Sequence, residues 1–242
     1  MSLTTEITGL TSEVRQLVNT VAAQDDLVRD KIAQLAAMVP NTSRQYYVDA
    51  ANGDDAADGL SPDTAFASLK RALERAPAGG ICTIDLLSDV VLDVRWPLVA
   101  SCTLVRGRTA AGAATMRTLT PAAEAVNRDD GWIAGLSHVT DGVLWLEYVD
   151  FVLPASAAGI TRLDVITHWR GGTTVFWGSA IRAAAGADTH VIGAAHGECV
   201  VQATNTTIDA SAGPGTGRLF ASIAAGADPN SDWRITTNIT QN

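Results

Sequence analysis

Apolar residues recur at steps of three and four through the first forty positions: Leu3, Ile7, Leu10, Val14, Leu17, Val21, Val28, Leu35 and Met38, with Gln24 and Lys31 filling the same series. A 3.5-residue period held over about five heptads is coiled-coil spacing. One chain cannot bury such a seam alone. The pattern therefore predicts self-association through Ile7, Leu10, Val14, Leu17, Val21, Val28 and Leu35, on a rod about 55 Å long. Valines 14, 21 and 28 at the a positions favour a dimer, whereas the flanking Val18, Leu27 and Ile32 and the polar Gln24 and Lys31 widen the stripe and favour a trimer. The trimer is the expectation carried forward, against the alternative of an amphipathic helix packed on its own globular domain. Pro40 and Asn41 end the rod, and 40–45 read as a linker.

Behind it the texture changes. Tyr46-Tyr47-Val48-Asp49 reads as a strand, and Ala50 to Gly59, with three Asp and Asn52, as a loop of tight turns. That loop invites a calcium reading, but it lacks both the DxDxDG spacing and a Glu at the twelfth position. Ala65 to Ala76 predicts a helix with Leu69, Ala72, Leu73 and Ala76 on one face, ended by Pro77-Ala78-Gly79-Gly80. Short β-rich runs follow: 81–87, 90–94, 102–107, 142–153, 161–169, 173–177, 190–192 and 199–204. Cys82-Thr83-Ile84 and Cys102-Thr103-Leu104 repeat one triplet type twenty residues apart, a period suited to one coil of a β-solenoid.

Composition narrows the function. At 242 residues and 47% hydrophobic, with 18% charged, the chain has material for a domain of roughly 200 residues. A net charge of −9 with 17 scattered Lys and Arg argues against a nucleic-acid partner. No export signal is evident at the start, and no apolar run reaches the ~18 residues of a membrane span, so the expectation is a chain folded in a cytoplasm without membrane insertion. Cys82, Cys102 and Cys199 are odd in number and unmotivated by spacing, and read as buried thiols.

The residues Tyr46-Tyr47-Val48-Asp49, Asn52-Gly53-Asp54-Asp55, Asp58-Gly59-Leu60-Ser61-Pro62 and Thr64 to Leu69 with Ala72 resemble the opening of the right-handed parallel β-helix of phage tail fibres and tailspikes, within the pectate-lyase-like superfamily. Residues 81–107 are similar to the first coil that follows it. The resemblance covers about a quarter of the chain. It implies a mainly β fold, a right-handed parallel β-helix with a short capping helix, preceded by an α-helical coiled coil. Residues 1–39 would trimerise and attach to another particle protein, and 46–242 would form the display domain, with 46–80 as its cap and a C-terminal part that is open to being a distinct β tip. The Ala-rich stretch 183–187 departs from the family pattern as poor strand material.

Candidate chemistry is sparse. Asp188 with Asp209, and Glu147 with Asp164, lie about one coil apart, as a glycosidase pair on stacked coils requires, though acidic residues are common enough to produce such spacings by chance. His190, His196 and Cys199 form an array lacking a fourth ligand, so no metal and no cofactor are expected. Six tryptophans against four phenylalanines point instead to recognition. Trp132 beside a polar loop, Trp169 with Arg170, and Trp177 before Gly178 are the candidate carbohydrate-binding residues. The competing reading for each is core or interface packing, above all for Trp145. The expectation is a virion fibre or spike, on head or tail, that binds cell-surface polysaccharide. A small polysaccharide-degrading tailspike enzyme and a bacterial adhesin subunit are the alternatives.

Overall fold

The computed structural model describes residues 13–16, 19–20, 24, 42–194, 198–209, 219–221, 223, 227–232 and 234–239. The chain divides into two compact units, Met1–Asn41 and Thr42–Asn242. In the first, 13–16, 19–20 and 24 are α-helical, and Val14 is 51% exposed. The other seam residues, Ile7, Leu10, Leu17, Val21, Val28 and Leu35, lie outside the described residues.

The second unit is mainly β, and every pairing between its strands is parallel. It opens with β1 (Ser43–Val48) and a short helix α1 (Leu69–Glu74). Sets of three strands follow: β2 (Ile81–Leu86), β3 (Val90–Leu92), β4 (Arg95–Leu98); β5 (Cys102–Gly107), β6 (Arg117–Pro121), β7 (Gly135–His138); β8 (Val143–Glu147), β9 (Val149–Leu153), β10 (Asp164–His168); β11 (Thr173–Trp177), β12 (Ala180–Ala183), β13 (His190–Ala194). Then come β14 (Cys199–Thr204), β15 (Thr207–Asp209) and β16 (Ile235–Thr237). From β2 to β15 each strand pairs with the one three further on, giving sheets ordered β1-β2-β5-β8-β11-β14-β16, β3-β6-β9-β12-β15 and β4-β7-β10-β13. This three-sided connectivity is compatible with a β-solenoid.

Register explains the core. Tyr46, Ile84, Val105, Leu146 and Phe176 face one another in sequence across the first sheet. Val90, Leu119, Phe151 and Ile181 do so across the second, and Leu136, Ile166 and Ile192 across the third. All of these are buried, so each turn of chain contributes at least one apolar side chain per sheet to a continuous interior. Each such burial favours folding by roughly 1.5–3 kcal/mol. Successive coils differ in length because the turns vary: Ile81 pairs with Cys102, Cys102 with Val143, Val143 with Thr173 and Thr173 with Val200, so coils take 21, 41, 30 and 27 residues. The cysteine triplets, twenty residues apart, are therefore one position out of register. Cys82 pairs with Thr103 and faces inward, and Cys102 faces outward and is half-buried.

Several local expectations change. Strand β1 starts at Ser43, so part of the expected linker pairs with Ile81 to Thr83. The expected helix 65–76 is reduced to α1, because Phe66 is held extended: its N–H donates to the Tyr47 carbonyl at 2.8 Å and its carbonyl accepts from Asp49 N–H. Ser68 caps α1 by accepting from Arg71 N–H, and Leu69, Ala72 and Leu73 are buried where the helix meets β1, β3 and β4, across the open end of the first coil. The run 142–153 is cut at Tyr148, whose φ of 53° turns the chain from the first sheet to the next. Gly178 (φ 55°) and Asn205 (φ 49°) stand at the same corner of the two following coils.

Candidate functional site

Alternation along a strand sends every second residue outward. On the first sheet the outward rows read Ile81, Cys102, Val143, Thr173, Val200, then Thr83, Leu104, Trp145, Val175, Gln202, then Asp85, Arg106, Glu147, Trp177, Thr204. Two of these rows are largely apolar, and Ile81 and Trp177 are 49% and 39% exposed. Trp145 and Trp177 sit on neighbouring strands with ring centroids 6.2 Å apart. The third row is tied by ion pairs: Arg106 donates to Asp85 at 2.7 Å, and Arg108 to Glu147 at 2.8 Å while also lying over the Tyr148 ring. Trp145, expected chiefly in the core, is half-buried on this outer face. Its indole Nε1 is buried with no hydrogen-bond partner among the described residues. The in-out alternation of Val143-Leu144-Trp145-Leu146-Glu147 carried that signal once the run is cut at Tyr148.

The other two candidate tryptophans form a separate cluster. Trp132 is 4% exposed and packs with Ala125 and Ala134, its ring 5.8 Å from that of the half-buried Trp169. The Arg95 guanidinium stands 4.1 Å from the Trp132 ring centroid, with Arg128 at 5.1 Å and Arg162 at 5.4 Å. A ring so enclosed offers no open face to a sugar. Arg170 is exposed and forms no ion pair among the described residues. The structure thus joins Trp132 to Trp169 and leaves Trp177 elsewhere, beside Trp145.

Arg95 is the centre of the cluster. It is 4% exposed and donates to the carbonyls of Ile133 (3.3 Å) and Asp164 (2.8 Å) and to the Thr167 hydroxyl, with the Asp164 carboxylate 3.5 Å away. Burial pulls its pKa down to about 10 against the opposing influence of Asp164, so it stays charged at neutral pH. Gly135 makes the room: a Cβ there would stand 2.0 Å from the Val165 carbonyl oxygen and 2.9 Å from Arg95 Nη1. Gly135→Ala is accordingly expected to destabilise the unit by about 1–3 kcal/mol, read as a lowered urea midpoint at unchanged m-value.

Inside the coils, His138 and His168 stack with centroids 4.3 Å apart and planes 13° from parallel. His168 Nδ1 lies 3.1 Å from the Gly171 carbonyl, which can only accept, so Nδ1 carries the proton and Nε2 accepts from the Thr174 hydroxyl at 3.1 Å. Both ring nitrogens of His138 and the Thr103 hydroxyl are buried without a hydrogen-bond partner among the described residues. Burial, reinforced by His168, pushes His138 down to about 3; burial pushes His168 down to about 4.

The carboxylates that suggested chemistry are committed to structure. Asp49, Asp54 and Asp58 each accept backbone N–H groups two or three residues on, and Asp55 accepts from the Ser68 N–H and hydroxyl. Asp188 accepts from Ser156 N–H and hydroxyl at 2.7 Å, Glu147 pairs with Arg108, and Asp164 with Arg95. Among the described residues no group of three or more His, Cys, Asp or Glu is placed to hold a metal; His196 lies outside them, and Cys199 is buried. Among the same residues no helix is long and apolar enough to cross a membrane. Comparison of the chain with protein-family models, with curated proteins and with solved structures found no match.

Proposed function

We propose that this protein is a structural appendage, a fibre or spike of a phage or phage-like particle: a homotrimer assembled in the host cytoplasm. Its N-terminal heptads trimerise it and attach it to another particle protein. Its right-handed β-helix presents an outer face to cell-surface polysaccharide. The observation that carries this reading is the stack of parallel coils with Trp145 and Trp177 on adjacent outward strands. Neighbouring strands stand about 4.8 Å apart, so a chain of sugars running along the stack meets an indole on each of two successive coils, which supplies an apolar face with a polar edge. Trp177, the more exposed, is the sugar-contacting residue in this reading, while Trp169 and Arg170 form a second, smaller surface.

The ion-paired or N–H-bonded state of Glu147, Asp164 and Asp188 supports a binding role over catalysis, since neither member of the Glu147–Asp164 pair has a free carboxylate poised as acid or nucleophile. The test is twofold. Sedimentation of the full chain is expected to give three chain masses. Host polysaccharide is expected to quench tryptophan fluorescence without releasing reducing ends or unsaturated sugars, and Trp177→Ala to weaken binding about 30-fold, the scale of an interface tryptophan. A monomer, or binding indifferent to Trp177, refutes the respective half.

A further inference from the structure

The cap of the solenoid contains a cleft of about 380 Å³ lined by Arg44, Tyr46, Asp58, Leu60 and Arg75. Arg44 and Tyr46 share one face of β1, and Arg75 ends α1, so strand, loop and helix converge there. The walls are set in place by hydrogen bonds. The Tyr46 hydroxyl donates to the Arg75 carbonyl at 3.0 Å, and Asp58 Oδ1 accepts from Leu60 N–H at 3.0 Å and from the Thr64 hydroxyl at 2.6 Å. Gly59, at φ 70°, lies so close to the Phe66 ring that a Cβ would stand 2.2 Å from it, and its carbonyl accepts from Tyr47 N–H.

The charges are less balanced than the scaffold. Neither Arg44 nor Arg75 forms an ion pair among the described residues. Both act on the same phenol: burial raises the Tyr46 pKa, Cys82 adds to that, and Arg44 and Arg75 pull it back. The one carboxylate in the wall, Asp58, is engaged by Leu60 and Thr64. Two guanidiniums in one cleft run against the net charge of −9, and Leu60, 52% exposed, gives the rim an aliphatic edge.

We propose that this cleft binds a carboxylate flanked by an aliphatic side chain, presented by an acidic segment of a partner protein. Arg44 and Arg75 take the carboxylate through charge-assisted hydrogen bonds and Leu60 with Ala56 and Ala57 takes the aliphatic neighbour. A sugar is the poorer fit, because the only aromatic ring in the wall, Tyr46, is 7% exposed and has no open face to stack on. The cleft lies on β1, the edge strand that opens the coil stack. The inference therefore rests on the proposed particle attachment for the partner's identity, and it names the chemistry of that contact.

The experiment uses the full chain and a fluorescein-labelled peptide of alternating Glu and Leu, followed by anisotropy, with an alternating Lys and Leu peptide and free glucuronate as comparisons. The Glu-Leu peptide is expected to bind, weakening with salt, at least tenfold tighter than either comparison. The double variant Arg44→Gln, Arg75→Gln is expected to lose at least tenfold in affinity while its thermal unfolding stays unchanged. Arg75→Glu is expected to reverse the preference toward the Lys-Leu peptide, a gain that unfolding cannot mimic. Equal affinity for both peptides, tighter binding of glucuronate, or an unaffected double variant would overturn the proposal. None of these readouts depends on the oligomeric state or on Trp177, so failure here is separable from failure of the appendage reading.

Discussion

Arg95→Ala is expected to destabilise the β unit by about 3–5 kcal/mol, lowering the urea midpoint by roughly 1–2 M. The residue connects three levels of the stack: it originates on β4, donates to the Ile133 carbonyl in the loop before β7, and reaches Asp164 and Thr167 on β10. Removing it leaves the Asp164 carboxylate, 17% exposed, without its cation, leaves two carbonyls without donors, and strips Trp132 of the guanidinium 4.1 Å from its ring. The cost therefore comes mostly from what is left unpaired, and adding Asp164→Asn to the alanine variant should recover part of it. Hydrogen exchange should localise the loss to 122–134 and β10, where Asn127 also pairs with the Arg95 backbone through both ends of its amide. An Arg95→Ala protein as stable as the parent would mean that the ion pair contributes nothing net.

Acidification from pH 7 to 4.5 is expected to remove about 3–5 kcal/mol through His138 and His168 together. Both are neutral in the fold, pushed down to about 3 and 4, while in the unfolded chain they titrate near the ordinary 6.5. Below pH 6.5 the unfolded state binds more protons than the folded one, so stability falls as pH falls, by up to about 1.4 kcal/mol per pH unit for each ring, and levels off only near the folded values. Above pH 6.5 the two states carry the same protonation and the effect vanishes. The carboxylates with lowered pKa, Asp49, Asp58, Asp130 and Asp188, lose their contribution at lower pH, below about 4, which leaves the histidine window clear. His138→Phe keeps a flat ring against His168 and removes one titrating group, so it should halve the slope of the urea midpoint against pH between 6.5 and 4.5. An unchanged slope would show that His138 is not the group responsible.

Much of this architecture can be read locally, and particular residues show where reading stops. The alternation in 81–86 and 102–107 marks strands, and the Asp-rich loop gives itself away as Asx turns because its carboxylates accept from N–H groups two or three residues on. The cysteine triplets point to a coil of nearly the right length and then mislead by one residue, which suffices to put Cys82 inside and Cys102 outside. Phe66 sits in a stretch of helical spacing and becomes a β-bridge because β1 offers it two backbone hydrogen bonds. Of the candidate sugar-binding residues, Trp177 keeps an exposed ring, whereas Trp132 is enclosed in part by Arg95 and Arg162, which lie far from it in sequence.

Periodicity predicted a helix for the heptad segment, and composition with short-range pattern sufficed for the mainly β character behind it, the capping helix and the loop of tight turns, because each of these depends mostly on groups close together in sequence. Register, the corners at Tyr148, Gly178 and Asn205, the enclosure of Arg95 and the stacking of His138 on His168 came from the winding alone. In a parallel stack every strand's partner lies a full coil away, at separations that run from 21 to 41 residues. No local pattern encodes which residue stands opposite which, so those choices rest on the packing of all the coils together.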